Sequence, residues 1–151
     1  MSKSNKSWLS RAQLDALDEK LFDYPKINQA IATRKVQLQI THDHDSNIGG
    51  SKSTRISKPP EDELLKKEEY ENRLKNDILL KNLYLFRDTV EKMFAELPDE
   101  LKVIFQIRWI DGGKTWIEIE HELFYAEKTI YKKRVAILER FAECAGYLKI
   151  G

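Results

Sequence analysis

Apolar residues recur at alternating intervals of four and three positions in the middle of the chain. The series consists of Leu79, Leu83, Phe86, Val90, Met93 and Leu97. Because an α-helix completes a turn in about 3.6 residues, this spacing places all of them on one helix face. It predicts one long, charged helix over residues 61–97, in which Asn72 and Asn76 weaken the apolar series toward the helix start. The apolar face either packs in the chain's own core or pairs two copies as a homodimer through residues 79–97.

Similar periodicity elsewhere, together with few helix-breaking residues, predicts an all-α fold. The 151 residues include six glycines and four prolines, and 34% of them are charged, as is typical of solvated helices. Leu14, Leu17 and Leu21 form the apolar stripe of a first helix, which Pro25 interrupts. The expected organisation is an N-terminal helical segment at 1–40, a basic Gly/Ser/Pro loop at 41–60, the long helix at 61–97 and a helical C-terminal domain at 98–151.

The segment from Asn47 to Lys58 combines two glycines with three bases and no acid. Its first residues, Asn47, Ile48, Gly49 and Gly50, predict a structural loop, because glycine permits a left-handed turn or a close backbone approach. Lys52, Arg55 and Lys58 follow, and a basic arm is one way in which proteins enter a DNA minor groove. The alternative is a linker whose charge is incidental.

Charge changes sign abruptly near the C-terminus. Three acids, Glu118, Glu120 and Glu122, are followed within a few residues by four bases, Lys128, Lys132, Lys133 and Arg134. The first stretch predicts a short supporting helix that begins near Thr115, since Thr115 and Glu118 have the spacing of a capping box. The second predicts a basic helix from about residue 127.

The last three helices have the proportions of a helix-turn-helix domain, in which the second helix of the motif lies in the DNA major groove. The predicted DNA-contacting residues are Lys114, Lys128, Thr129, Tyr131, Lys132, Lys133 and Arg134. Lysines neutralise phosphates, while Lys128 and Thr129, near the helix start, are better placed for base edges. Glu120 and Glu122 would repel phosphate, so we expect both to be turned away from the duplex. The alternative is an amphipathic helix whose lysines are only solvated.

The stretch from Leu97 to Phe141 resembles the region-4 helix-turn-helix of bacterial sigma factors. The resemblance is carried by Leu97-Pro98, the Gly112-Gly113 turn, Glu118-Ile119, Leu123 and Thr129-Ile130-Tyr131. Three positions depart from the family pattern. Glu120 stands where a small residue usually packs, Phe124 where a turn glycine is common, and Ala126 where a capping serine or threonine is common.

Over nearly its whole length the chain is similar to the RinA-type activators of phage late transcription, with the ArpU-like regulators as neighbours. The similarity is carried by LFDYP at residues 21–25, DSNIGG at 45–50 and the long charged helix that follows. It implies a sequence-specific activator of phage late genes that binds double-stranded promoter DNA and contacts RNA polymerase in the bacterial cytoplasm. The alternatives are a small-terminase-like DNA-packaging protein and a helical module that binds polymerase without reading DNA.

The sequence indicates no enzyme, metal site or membrane span. Cys144 is the single cysteine, which excludes an internal disulfide and a cysteine-rich zinc site. His42 and His44 alternate with aspartates, but a catalytic zinc needs three protein ligands in fixed geometry. No apolar run approaches the roughly 20 residues of a membrane helix. We therefore expect no catalytic residue, no cofactor, no membrane partner and a cytoplasmic protein.

Overall fold

The computed structural model describes residues 7–47 and 59–149, with side chains for 7–40 and 63–149. Over these ranges the chain is helical and contains no β-strand, so the all-α prediction is confirmed. The helices are α1 (Arg11–Leu21), α2 (Ile27–Asn47), α3 (Pro59–Asn76), α4 (Ile78–Glu96), α5 (Asp99–Phe105), α6 (Trp116–Leu123) and α7 (Glu127–Cys144). A 3₁₀ turn at Tyr24–Lys26 precedes α2, and a π-helical turn at Gln106–Ile110 extends α5. No helix in the described ranges is both long and apolar enough to cross a membrane.

Two helices begin with reciprocal side-chain caps, of which the cap of α6 is the one that the sequence predicts. The Ser10 hydroxyl accepts from the Gln13 N–H at the start of α1, and the Gln13 side chain accepts from the Ser10 N–H. Thr115 and Glu118 make the same exchange at the start of α6. Because each cap satisfies N–H groups that have no partner within the helix, it fixes where the helix begins.

The prediction of one helix over residues 61–97 is wrong, because the chain breaks between Asn76 and Ile78. The Asp77 carboxylate accepts from the N–H of Leu80 at 2.8 Å, which caps the start of α4. A capping aspartate offers the backbone an alternative to a continuous helix. The apolar periodicity carries no signal of this break, since a helix can restart on the same face.

The predicted loop at 41–60 is too long at both ends. α2 continues through Asn47, because the residues from 41 to 47 include no glycine or proline to stop it. α3 begins at Pro59, which is compatible with a first helical turn because its missing N–H needs no partner there. Residues 48–58 lie outside the described residues.

The chain divides into two compact units, and the first comprises the described residues up to Lys26 together with those from Phe86 onward. Its core unites α1, the second half of α4, and α5 to α7. The largest fully buried side chains there are Trp109, Phe105, Leu21, Met93, Ile104, Ile119, Ile137, Leu138 and Val90. Val90, Met93 and Leu97 of the periodic series belong to this core. This half of the series therefore packs within the chain and is not available to pair with a second copy. Leu79, at the other end, is 49% exposed.

The second unit spans Ile27–Leu85 and contains α2, α3 and the first half of α4. Arg34 of α2 binds both carboxylate oxygens of Asp77, with nitrogen–oxygen distances of 2.7 and 2.9 Å. The hydrogen bond from Arg34 lowers the pKa of Asp77 to about 2. The Tyr70 hydroxyl of α3 donates to the Lys35 carbonyl at 3.1 Å. Asp77 therefore both interrupts the helix that was predicted over residues 61–97 and ties α2 to α4.

Candidate functional site

A buried carboxylate connects α1 to the C-terminal helices. Asp18 is only 4% exposed, and its carboxylate accepts from Arg108 Nη2 at 2.9 Å and from Arg134 Nε at 2.9 Å. Two indole N–H groups donate to the same carboxylate, from Trp109 at 3.2 Å and from Trp116 at 3.0 Å. A buried charge is tolerated only when it is paired and hydrogen-bonded. Asp18 meets both conditions, and we call these five residues the Asp18 hub.

The π-helical turn at Gln106–Ile110 supplies two neighbouring donors to the hub. The turn ends with the Asp111 N–H donating to the Gln106 carbonyl at 2.8 Å. Arg108 lies 4.8 Å from the ring centre of Trp116 and donates to the Lys114 carbonyl at 3.0 Å. Trp109 also donates to the Asp18 backbone carbonyl at 2.9 Å. These contacts fix the segment before α6 at several points.

Sequence reasoning missed the hub, although the sequence carries a signal of it. Asp18 stands with Leu14, Leu17 and Leu21 at the i, i+3, i+4 and i+7 positions of one helix face. An acid on an apolar stripe must find cationic or donor partners when the stripe is buried. The identity of those partners does not follow from spacing, because they lie 90 to 116 residues further along the chain.

The turn between α6 and α7 contains a bulky residue in a left-handed conformation. Phe124 has φ 58° and ψ 42°, and its side chain is 92% exposed. Ala126 occupies the N-cap of α7 without any side-chain hydrogen bond. Both positions are those at which the sequence departs from the sigma-factor pattern. Phe124 therefore adopts the left-handed backbone conformation that glycine usually provides in such a turn, and α7 begins without a side-chain cap.

Three of the predicted contact residues have partners within the chain. Arg134 donates to Asp18 and Asp15, and its side chain is 15% exposed. Lys133 pairs with Glu100 at 3.1 Å and is 16% exposed. Lys114 pairs with Glu122 at 2.9 Å, and this hydrogen bond raises the pKa of Lys114. These three bases hold the helices together or neutralise local acids, so they are poor candidates for contacts to an external anion.

The remaining predicted residues of α7 are exposed together at its start. They are Lys128, Thr129, Tyr131 and Lys132. Within the described part of the chain, neither Lys128 nor Lys132 takes part in an ion pair. Behind them, Ile130, Ile137 and Leu138 are buried in the core. The start of α7 thus presents two cations that form no ion pair among the described residues, and a hydroxyl, from a helix that is packed on the core.

A groove of about 520 Å³ lies between α6 and the start of α7. Its lining residues are Trp116, Ile117, Glu120, Glu127, Lys128, Ile130, Tyr131, Lys132 and Arg134. Glu120 lines this groove together with Lys128, and the expectation that Glu120 is turned away from a duplex stays a prediction. Its half-buried position follows from the helix period, since Glu120 lies one turn after Trp116 on α6.

The predicted basic arm lies largely beyond what the structure describes. Ile48, Gly49, Gly50, Lys52, Arg55 and Lys58 are outside the described residues, and Asn47 is the last residue of α2. The side chains of His42 and His44 are likewise not described. Among the side chains that are described, no group of three potential metal ligands is close enough to hold an ion.

Comparison with known proteins identifies one family. A family model with the description "Protein of unknown function (DUF722)" matches residues 13–143. No curated protein and no solved structure gives a significant match. The matched range begins within α1 and extends nearly to the end of α7, so the Asp18 hub and the exposed start of α7 both lie within it.

Proposed function

We propose that this chain, which belongs to the DUF722 family, is a sequence-specific double-stranded DNA-binding protein that acts in transcription. In this proposal α5, α6 and α7 form a helix-turn-helix domain, and the start of α7 enters the major groove. The observation that supports it is the exposed group of Lys128, Thr129 and Lys132 on one helix start. Two cations that form no ion pair with the described residues, beside a hydroxyl, suit phosphate and base-edge contacts.

The Asp18 hub supports the proposal because it restricts the orientation of α7. Base reading requires donors held in position before contact, since ordering them on binding costs affinity. Arg134 lies on α7 less than two turns after Lys128, and two carboxylates hold its guanidinium. The side chains of the recognition surface thus extend from a backbone that α1 fixes from behind.

The charges around α7 limit the number of phosphate contacts that it can make. Lys128 and Lys132 are the exposed bases at its start without ion pairs among the described residues, and Glu120 and Glu127 line the same groove. If the chain contacts two phosphates, the logarithm of the binding constant should fall with the logarithm of the salt concentration with a slope of about −1.8, since each contact contributes about −0.9. A steeper slope would assign further contacts to bases elsewhere, with Lys52, Arg55 and Lys58 of the basic arm as the first candidates.

The test is selection of duplexes from a random pool by the full chain, followed by affinity measurements over a salt series. Lys128→Ala and Lys132→Ala should each weaken binding and reduce the slope by about 0.9. Lys133→Ala, at a base already paired with Glu100, is the matched control and should leave the slope unchanged. Failure to enrich any sequence, or binding that does not depend on salt, contradicts the proposal.

Activation of phage late genes by contact with RNA polymerase is the more specific form of the proposal. It is supported by the resemblance to RinA-type activators over LFDYP and DSNIGG. Binding of the chain to a phage late promoter, measured against an unrelated duplex, tests it directly. A small-terminase-like packaging protein predicts a ring of many copies in solution, so a mass measurement of the purified chain separates the two roles.

A further inference from the structure

The groove between α6 and α7 has an apolar wall that is open to solvent. Ile117, the second residue of α6, is 64% exposed, and Tyr131 of α7 is 44% exposed on the opposite side. Trp116 and the buried Ile130 also line the groove. Water in contact with these groups is unfavourable, so an apolar group that displaces it gains affinity. Scattered surface apolar residues need no explanation, but exposed apolar residues that line one concave surface indicate an occupant.

We propose that this groove receives the methyl-bearing edge of a thymine in the DNA major groove, with Ile117 and Tyr131 contacting the 5-methyl group. This inference rests on the proposed DNA-binding function. Thymine carries the one apolar group that base pairs present in the major groove. Lys128 and Lys132 line the same groove together with Glu120 and Glu127. Because neither lysine has an ion pair among the described residues, an occupant should combine an apolar edge with negative charge placed near these two lysines. A thymine and the phosphates that flank it provide that combination.

The two helices divide the recognition of DNA in this arrangement. The cations and the hydroxyl of α7 contact phosphates and polar base edges. Ile117 contributes apolar contact from α6, the helix that the sequence predicts to be only a support. The capping box of Thr115 and Glu118 fixes the first turn of α6, so the Ile117 side chain is carried on an ordered backbone. Ile117 is therefore a specificity-determining residue, while Trp116 is held in the Asp18 hub.

The experiment compares thymidine with deoxyuridine, which differs only in lacking the 5-methyl group. Duplexes enriched from a random pool by the full chain are remade with deoxyuridine at each thymine position in turn. One or two positions should lose about fourfold in affinity, the loss expected for one buried methyl group. The loss should persist at high salt, since it involves no charge.

Variants assign the methyl contact to the groove. Ile117→Ala should weaken binding to the thymine duplex about fourfold and leave binding to the deoxyuridine duplex unchanged, which is the coupling that a double-mutant cycle measures. Tyr131→Phe, which retains the ring, should preserve the thymine preference, and Tyr131→Ala should reduce it. Val103→Ala, at an apolar residue of α5 that is 49% exposed outside the groove, is the matched control. Circular dichroism checks that each variant retains the helicity of the parent chain.

The outcomes separate this inference from the proposed function. If no sequence is enriched, the DNA-binding function fails, and this inference fails with it. If a sequence is enriched and every deoxyuridine duplex binds as tightly as its thymine counterpart, DNA binding stands and the inference is overturned. It is also overturned if the Ile117→Ala and deoxyuridine losses simply add, because the methyl group is then read elsewhere.

Discussion

Replacement of Asp18, the polar residue that is buried among the described side chains, should strongly destabilise the first unit. Asp18→Ala leaves two guanidinium groups and the Trp116 indole without their shared acceptor. Removal of one partner of a buried ion pair costs about 3–5 kcal/mol in the free energy of unfolding. The side chains of Arg108 and Arg134 are 16% and 15% exposed and can regain some hydration, so the lower end of that range, about 3 kcal/mol, is the expected loss.

Urea unfolding measures this loss with two independent signals. Two of the three tryptophans, Trp109 and Trp116, are hub residues, so tryptophan fluorescence reports mainly on the hub, while circular dichroism reports the helices. With an m-value of about 2 kcal/mol/M, the midpoint should fall by about 1.5 M urea. Asp18→Asn should lose about 2 kcal/mol, because the amide keeps the shape but offers donors as well as an acceptor to the guanidinium groups.

Asp15→Ala provides the matched control on the same helix. Asp15 also accepts from Arg134, at 3.1 Å, but its side chain is 67% exposed. An exposed ion pair contributes about 1 kcal/mol at most, so the midpoint should move by less than about 0.5 M. If Asp18→Ala shifts the midpoint no more than Asp15→Ala does, the argument that the hub holds the domain together is refuted.

Three further predictions concern the turn, the groove and the second unit. Phe124→Asn should raise the free energy of unfolding by about 1 kcal/mol, because asparagine tolerates a positive φ better than phenylalanine does. Phe124→Ala is the control, and an equal gain in that variant would refute backbone strain as the cause. Glu120→Gln should strengthen DNA binding about two- to threefold at low salt and less at high salt, since it removes a negative charge from the groove; unchanged affinity in a filter-binding or anisotropy titration would place the duplex elsewhere. Asp77 has its pKa lowered to about 2 by Arg34, so its contribution to stability is present above its ordinary pKa of 3.8 and is lost as pH falls toward 2. Asp77→Asn should reduce that part of the pH dependence of the thermal midpoint, and an unaltered profile between pH 2 and 5 would contradict the pairing.

Local signals in the sequence account for the helices and their starts, because helix periodicity and capping act over a few residues. Val90, Met93 and Leu97 were expected on one buried face and are buried there. Thr115 and Glu118 were expected to cap α6 and do so. The helix break at Asp77 does not follow from the sequence, because the charged stretch holds many similar acids. What distinguishes Asp77 from them is its ion pair with Arg34 and its hydrogen bond from the Leu80 N–H.

The candidate site was predictable only in part, for the same physical reason. Charge clustering draws attention to residues 128–134, but it treats every base alike. Lys133 and Arg134 differ from Lys128 and Lys132 because Glu100 and Asp18, distant in sequence, lie beside the former pair. The groove wall was also missed, since Ile117 in sequence is one more apolar residue of a short helix.

The long sequence separation within the Asp18 hub bears on how the protein matures in the cell. Asp18 is synthesised early, whereas Arg134 follows it by 116 residues. At about 5–20 residues per second, a ribosome produces the last hub residue on the order of ten seconds after the first. Until Arg108 is synthesised, α1 has no hub partner for its acid, and until α7 is synthesised the core around Leu14, Leu17 and Leu21 lacks the buried residues of that helix. The first unit is thus expected to fold only after release of nearly the whole chain, and a nascent chain halted before α7 should remain a substrate for chaperones or proteases.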